Sequence, residues 1–149
     1  MKLLYKNFLN NSVLILLLRI ILGVVFFAHG SQKVLGWFDG YGLEKTIAAF
    51  QQNLGIPSYL AIIASFTEFL GGIALVLGLF TRPAALGIII TMMVAMSVHF
   101  SAGFLLPAGF EYVLTLLVIS VIVFLNGPGC ISLDKIILDK LEPLKNKEN

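Results

Sequence analysis

The chain has very little charge for its length. Of its 149 residues only 12% are Asp, Glu, Lys or Arg, whereas 58% are hydrophobic. Soluble proteins average about 45–50% apolar and about 25% charged residues. Between Thr46 and Leu133 the only formally charged side chains are Glu68, Arg82 and Glu111. This composition is typical of an integral membrane protein, and it excludes a separate soluble catalytic domain.

Cysteine and concentrated positive charge are also scarce. Cys130 is the only cysteine, which excludes an intrachain disulfide, a CxxC redox pair and a cysteine-ligated iron–sulfur cluster. Any redox chemistry must therefore use a bound cofactor or a partner. The net charge is only +2, and without a basic stripe we expect no nucleic-acid binding. The sequence contains no zinc signature or phosphate loop, so we predict no metal site.

Long apolar segments dominate what remains. A helix needs about 20 mostly apolar residues to cross a hydrocarbon core of about 30 Å. The sequence contains such segments at approximately residues 12–32, 59–80, 84–105 and 108–127. We therefore predict an all-α membrane protein, in which residues 1–149 form one domain built as a bundle of four transmembrane helices.

Two shorter segments have the spacing of amphipathic helices. Between the first two spans, Leu43, Ile47, Phe50 and Leu54 recur at helical spacing, which predicts an interfacial helix on the outer side. That helix could be a packing lid or a substrate gate. After the fourth span, residues 132–142 predict a short amphipathic helix on the cytoplasmic surface, and we expect Pro143 to end it.

The lysines and arginines outside the spans predict the orientation. Basic residues concentrate on the cytoplasmic side of membrane proteins. An even number of spans puts both termini on one side, and most basic residues lie there. On that side are Lys2, Lys6, Arg82, Lys135, Lys140, Lys145 and Lys147, whereas Lys33 and Lys45 lie opposite. We therefore predict that both termini are cytoplasmic.

Two ionisable residues fall deep within the spans. Such groups cost at least about 2.5–3.5 kcal/mol each on insertion scales, so each needs a partner, a cavity or a function. When the midpoints of spans one and two are aligned, Arg19 and Glu68 lie close to the membrane centre. We predict that they pair. The pair could pin the two spans together, or Glu68 could carry a proton with an affinity set by the arginine.

Three further titratable residues, His29, His99 and Glu111, come from three different spans and converge on one outer level of the bundle. The histidines could donate interhelical hydrogen bonds, ligate a haem axially, or exchange protons with a bound quinone. Two histidines are a weak signal for a haem, so we favour a quinone. Glu111 could supply the proton acceptor of such a site, or it could simply stabilise a helix N-terminus.

An ordered set of motifs covers nearly the whole chain and resembles the DoxX family. The motifs are Arg19-x3-Gly23-x2-Phe26-x2-His29-Gly30-x2-Lys33, Glu68-x2-Gly71-Gly72, Gly78-Leu79-x-Thr81-Arg82-Pro83, His99, Gly109-x-Glu111 and Gly127-Pro128-Gly129-x2-Ser132-Leu133-Asp134. The resemblance implies a small bacterial four-helix membrane protein of the cytoplasmic membrane, with an oxidoreductase role linked to quinones. It implies functional roles for Arg19, His29, Lys33, Glu68, Arg82, His99 and Glu111.

The leading hypothesis is a membrane subunit that binds a quinone near the outer side of the bundle and acts with a redox partner protein. Glu68, His99 and Glu111 would be the catalytic residues, and His29, Lys33 and Arg19 would bind the quinone. A non-catalytic scaffold that anchors a redox enzyme is one alternative. A small-solute or proton pathway is another, and homo-oligomers would accompany it.

Overall fold

The structure is a computed structural model that describes the backbone of residues 11–105 and 109–145, and the side chains of 13–105 and 109–141. Within these ranges the chain is helical and contains no strand. The helices are α1 (Asn11–Val34), α2 (Gly42–Leu54), α3 (Ser58–Leu77), α4 (Thr81–His99), a 3₁₀ turn (Phe100–Ala102), α5 (Glu111–Asn126) and α6 (Leu133–Lys145).

Three stretches of the described chain are long and apolar enough to cross a membrane. They are Val13–Val34, Ser58–Leu77 and Thr81–Ala102, and they correspond to the first three predicted spans. Helix α5 is apolar but has only 16 residues, which is about 24 Å of helix. A fourth crossing over residues 108–127 stays a prediction, because its first residue lies outside the described residues.

The helices pack as a bundle in which sequence neighbours lie side by side. Helix α1 packs along α3, α3 along α4, and α4 along α5, whereas the contact between α1 and α5 is much smaller. The buried core contains Leu22, Phe26, Leu75, Ile88 and Val123. Large apolar side chains are also exposed along the outer surfaces of the long helices, as expected for surfaces that face lipid.

Glycines fix how α1 and α3 are aligned. A Cβ atom at Gly72 would lie 2.8 Å from the carbonyl oxygen of Gly23, and one at Gly30 would overlap the backbone of Phe69. Small residues let helix backbones approach this closely in membranes. The two contacts place residue 23 beside residue 72 and residue 30 beside residue 69, and so set the register of the two helices.

The two amphipathic helices lie at opposite ends of the bundle. Helix α2 contacts both α1 and α3 and ends at Gly55, whose φ of 64° is left-handed; the predicted helix is confirmed. Helix α6 begins as predicted but continues through Pro143 to Lys145. The predicted end at Pro143 is wrong, because a proline in the last turn removes only one intrahelical hydrogen bond. The end of the bundle at which α2 lies is called the α2 end, and the opposite end, at which α6 lies, is called the α6 end.

Candidate functional site

A buried ion pair joins α1 to α3. The ammonium of Lys33 donates to both carboxylate oxygens of Glu68, at 2.6 Å from Oε1 and 2.5 Å from Oε2. The Glu68 side chain is 2% accessible, whereas that of Lys33 is 26% accessible. Glu68 lies near the middle of α3, and Lys33 reaches it from the last turn of α1. This charge pair is therefore enclosed between the helices, and only the lysine reaches the surface.

Helix α2 lies over the ion pair. The hydroxyl of Thr46 donates to the Lys33 backbone carbonyl at 3.4 Å, and Thr46 is buried. The ring of Phe50, one turn further along α2, has its centroid 6.0 Å from the Lys33 ammonium, within the range of a cation–π contact. The amphipathic helix thus covers Lys33 with one hydroxyl and one aromatic face.

The predicted pair of Arg19 with Glu68 is wrong. Arg19 is 2% accessible and donates to the backbone carbonyls of Pro128, at 2.6 Å, and Ile131, at 2.7 Å. Because Gly30 lies beside Phe69, Arg19 sits 11 residues further toward the α6 end, or about 16 Å along the helix axis. Aligning the midpoints of the spans gave the wrong register, since glycine contacts decide it.

Asp134 closes the α6 end together with Arg19. Its carboxylate accepts hydrogen bonds from the backbone N–H groups of Phe80, at 2.8 Å, and Thr81, at 2.9 Å. These are the first free donors of α4, which an acidic side chain satisfies and stabilises. The Asp134 N–H donates in turn to the Gly78 carbonyl at 2.9 Å. The segment that follows α5 is thereby tied to the turn between α3 and α4.

Gly78 and Arg82 belong to the same end of the bundle. Gly78 has a φ of +66°, and a Cβ atom there would overlap the Arg19 guanidinium, so the position requires glycine on both counts. Arg82 donates from Nη2 to the Leu125 carbonyl at 3.4 Å. The motifs around Gly78 and Asp134 thus contact each other and close the α6 end of the bundle. The sequence did not predict this contact.

At the α2 end, His29 lies between α1 and α5. Its ring centroid is 6.3 Å from that of Tyr112, with an angle of 55° between the planes. His29 is exposed, as is Tyr112, and the two side chains meet where α1 contacts α5. His29 and Lys33 are one turn apart on the same side of α1. The histidine is therefore adjacent to the ion pair.

His99 and Glu111 flank an aromatic stack. His99 is the last residue of α4 and Glu111 the first of α5. The residues next to them in sequence, Phe100 and Phe110, stack with ring centroids 5.4 Å apart and a 20° angle between the planes. The Glu111 N–H donates to the Phe104 carbonyl at 3.0 Å. Both predicted residues thus lie at the α2 end, where α4 connects to α5.

The structure therefore divides the predicted site residues into two groups. His29, Lys33, His99 and Glu111 lie toward the α2 end, with Glu68 joined to them through Lys33, while Arg19 and Arg82 lie at the α6 end. Tyr112 and the cover by Thr46 and Phe50 were not predicted as parts of the site. The signal for the Lys33–Glu68 pair was present in the sequence, because the motif glycines next to both residues fix the register.

The chemistry available to the α2 end is acid–base and hydrogen-bonding chemistry. Imidazole and phenol groups can form hydrogen bonds with the oxygen atoms of a ring-shaped ligand. No group of three or more His, Cys, Asp or Glu side chains that could hold a metal ion occurs in the described part of the chain. The helices around these groups are apolar, so a hydrophobic ligand could reach them from the membrane.

Comparison with known proteins identifies relatives of the chain. The family model DoxX matches residues 14–102. The chain is 35% identical over 120 residues to a Bacillus subtilis (strain 168) protein named "Putative oxidoreductase CatD", and the alignment covers 80% of this chain and 83% of that protein. No solved structure matches the chain significantly.

Proposed function

This chain belongs to the DoxX family, and from that premise we propose that it is a membrane subunit of a quinone-linked oxidoreductase system. The observation that carries the proposal is the buried Lys33–Glu68 pair. The lysine of this buried pair lies one turn from the exposed His29, and this arrangement supports a site for proton exchange at the edge of an apolar bundle. Proton exchange beside an apolar ring site is what reduction of a quinone needs.

The ring is expected to bind between α1 and α5. His29 and Tyr112 offer one imidazole and one phenol on either side of the narrow contact between these helices. Both side chains are exposed, so a ligand dissolved in the membrane reaches them without crossing the core. Their polar atoms can donate hydrogen bonds to the two carbonyl oxygens of a quinone, and their rings can stack on its face.

Protons and electrons come from different sources in this proposal. Reduction of a quinone to a hydroquinone consumes two electrons and two protons. A redox partner protein would supply both electrons, because a chain with a single cysteine cannot cycle a dithiol pair. In this proposal Glu68 delivers one proton and either His99 or Glu111 the other, and each group is reprotonated from water.

A binding experiment with purified protein tests this site. The probes are a short-chain benzoquinone analogue and its hydroquinone. Loss of one hydrogen bond to the ring costs about 0.5–1.5 kcal/mol, so His29→Ala and Tyr112→Phe are expected to weaken binding up to about tenfold each. Lys45→Met, which changes an exposed cation on α2, is the matched control. Wild-type protein that binds neither probe, or variants that bind both unchanged, would contradict the proposal.

A scaffold function is the second candidate, and one observation favours it. Helix α6 leaves the bundle with the apolar side chains of Ile136, Ile137 and Leu141 about half exposed. Such a face can dock a redox enzyme as well as lipid. A scaffold predicts a protein that co-purifies in mild detergent and no ring binding, so the experiment above separates the two functions.

We further propose that the protein lies in the bacterial cytoplasmic membrane with its α6 end toward the cytoplasm. Arg82, Lys135 and Lys140 lie at that end and are exposed, whereas the α2 end has the exposed Lys45. Basic residues favour the cytoplasmic side. A reporter that is active only in the periplasm is expected to stay inactive when fused to the C-terminus, and activity there would refute this orientation.

A further inference from the structure

The Lys33–Glu68 pair has unequal surroundings toward the two ends of the bundle. Toward the α2 end, only one residue of α1 follows Lys33, because the helix ends at Val34. The lysine side chain keeps 26% of its accessible surface, although Thr46 of α2, next to it, is buried and Phe50 is half-buried. The lysine that holds Glu68 therefore stays partly accessible at this end.

Toward the α6 end the path is closed by a packed apolar layer. Leu22 and Phe26 on α1, Leu75 on α3 and Ile88 on α4 are 0–1% accessible, and they lie between the level of Glu68 and that of Arg19. Close-packed side chains of this kind leave no continuous space for water. About 15 Å of helix separates Glu68 from Gly78 at the far side of this layer.

A second barrier follows behind the apolar layer. The Arg19 guanidinium fills the space next to Gly78 and is bound to the carbonyls of Pro128 and Ile131. Arginine stays protonated in proteins, so it does not relay protons. A fixed positive charge at this position also repels protons that approach from the α6 end.

The other charged and titratable groups near the pair lie toward the ends of the bundle. Helix α2 contributes Glu44 and Lys45, both exposed. On α4, which packs against α3, such groups are in the first and last turns, and on α5 they are in the first turn. They are Arg82 and His99 on α4, and Glu111 and Tyr112 on α5.

We infer that Glu68 exchanges protons with the aqueous phase at the α2 end alone. The inference rests on the proposed function, and it adds a direction to it: the proton that Glu68 gives to a quinone comes from one side of the membrane. Lys33 is the positioning residue of this route, since it is the contact between the buried carboxylate and the surface under α2.

Vesicles with a separate pH on each side test the direction. Full-length protein is reconstituted, and its orientation is measured by protease removal of the chain beyond α6. Infrared difference spectra then record the protonated-carboxyl band that is lost in Glu68→Gln. Glu68→Asp, which keeps a carboxyl group and shifts the band, identifies the same signal if the glutamine variant does not fold.

The band is expected to follow the pH of the compartment that faces α2 and to ignore the other compartment. A band that follows the α6 side, or both sides equally, overturns the inference and leaves ring binding untouched. A band that does not respond to pH even with a protonophore, which equalises the two compartments, overturns the inference together with the proton step of the proposed function. If the quinone analogue does not bind but the carboxyl band follows the pH on the α2 side, only the proposed function is refuted.

Discussion

Replacement of Lys33 by methionine gives the sharpest test of the ion pair. Methionine keeps an unbranched side chain of similar length and removes the charge, so Glu68 loses its cation while it stays 2% accessible. Removal of one partner from a buried pair costs about 3–5 kcal/mol. Because Lys33 keeps 26% of its side chain accessible, water offsets part of the loss, and we expect about 3 kcal/mol, near the lower limit.

The magnitude of the pair itself comes from a double-mutant cycle. Glu68→Gln is expected to cost less than Lys33→Met, about 1 kcal/mol, because the uncompensated lysine can extend toward water. The double variant should then lose less than the two single variants together, with a coupling energy of about 2 kcal/mol. Unfolding in mixed micelles of a mild detergent and dodecyl sulfate, followed by circular dichroism, measures all four free energies.

The exposed Lys45 provides the matched control. Lys45→Met removes a lysine from α2 that is open to solvent, and we expect a change within about 0.5 kcal/mol. If Lys33→Met costs no more than this control, and the coupling energy is zero within error, then Glu68 is not compensated by Lys33. The reasoning that leads from the pair to the proton route would then fail.

Two further predictions concern the packing of α3 and the closure of the α6 end. Gly72→Ala is expected to destabilise the protein by about 2 kcal/mol or more, because its Cβ would overlap α1. Gly71→Ala is the control: its Cβ would lie 3.4 Å from Ile88, so it should change stability by less than about 1 kcal/mol. Equal effects of the two substitutions in the same unfolding assay would refute the register that the glycines set. Asp134→Ala removes the cap of α4, so it is expected to lower the free energy of unfolding by about 1–2 kcal/mol and to speed hydrogen exchange at the start of α4. Asp139→Ala, the control, breaks an exposed ion pair with Lys135 and should lower the free energy of unfolding by at most about 0.5 kcal/mol. Unchanged exchange in the Asp134 variant would show that the cap does not stabilise α4.

The helices could be predicted from the sequence, because their signals are local. Apolar runs located α1, α3 and α4 to within a few residues at most ends, and the spacing of Leu43, Ile47 and the residues after them located α2. The contacts between helices were not local. Arg19 was assigned to Glu68 because both are charged, but its acceptors are two backbone carbonyls. Backbone carbonyls occur at every residue, so no side-chain pairing rule could identify them.

The level of the candidate site residues along the bundle could be predicted from the sequence better than their contacts could. His29, Lys33, His99 and Glu111 do lie toward one end of the bundle, since depth along a helix follows from residue spacing. Which of them meet depends on how the helices rotate and slide, and that depends on glycines such as Gly30. Asp134 was missed as a cap because it lies more than fifty positions from the helix that it stabilises, whereas helix caps are usually sought next to the helix.

The position of Arg19 also constrains the order in which the protein can mature. Its two acceptors follow it by 109 and 112 residues, so α1 enters the membrane long before they have been synthesised. Until then the guanidinium must extend toward the membrane surface, where water can solvate it. The α6 end can close only when almost the whole chain has emerged. A chain that stops after α5 would therefore lack both acceptors of the Arg19 guanidinium.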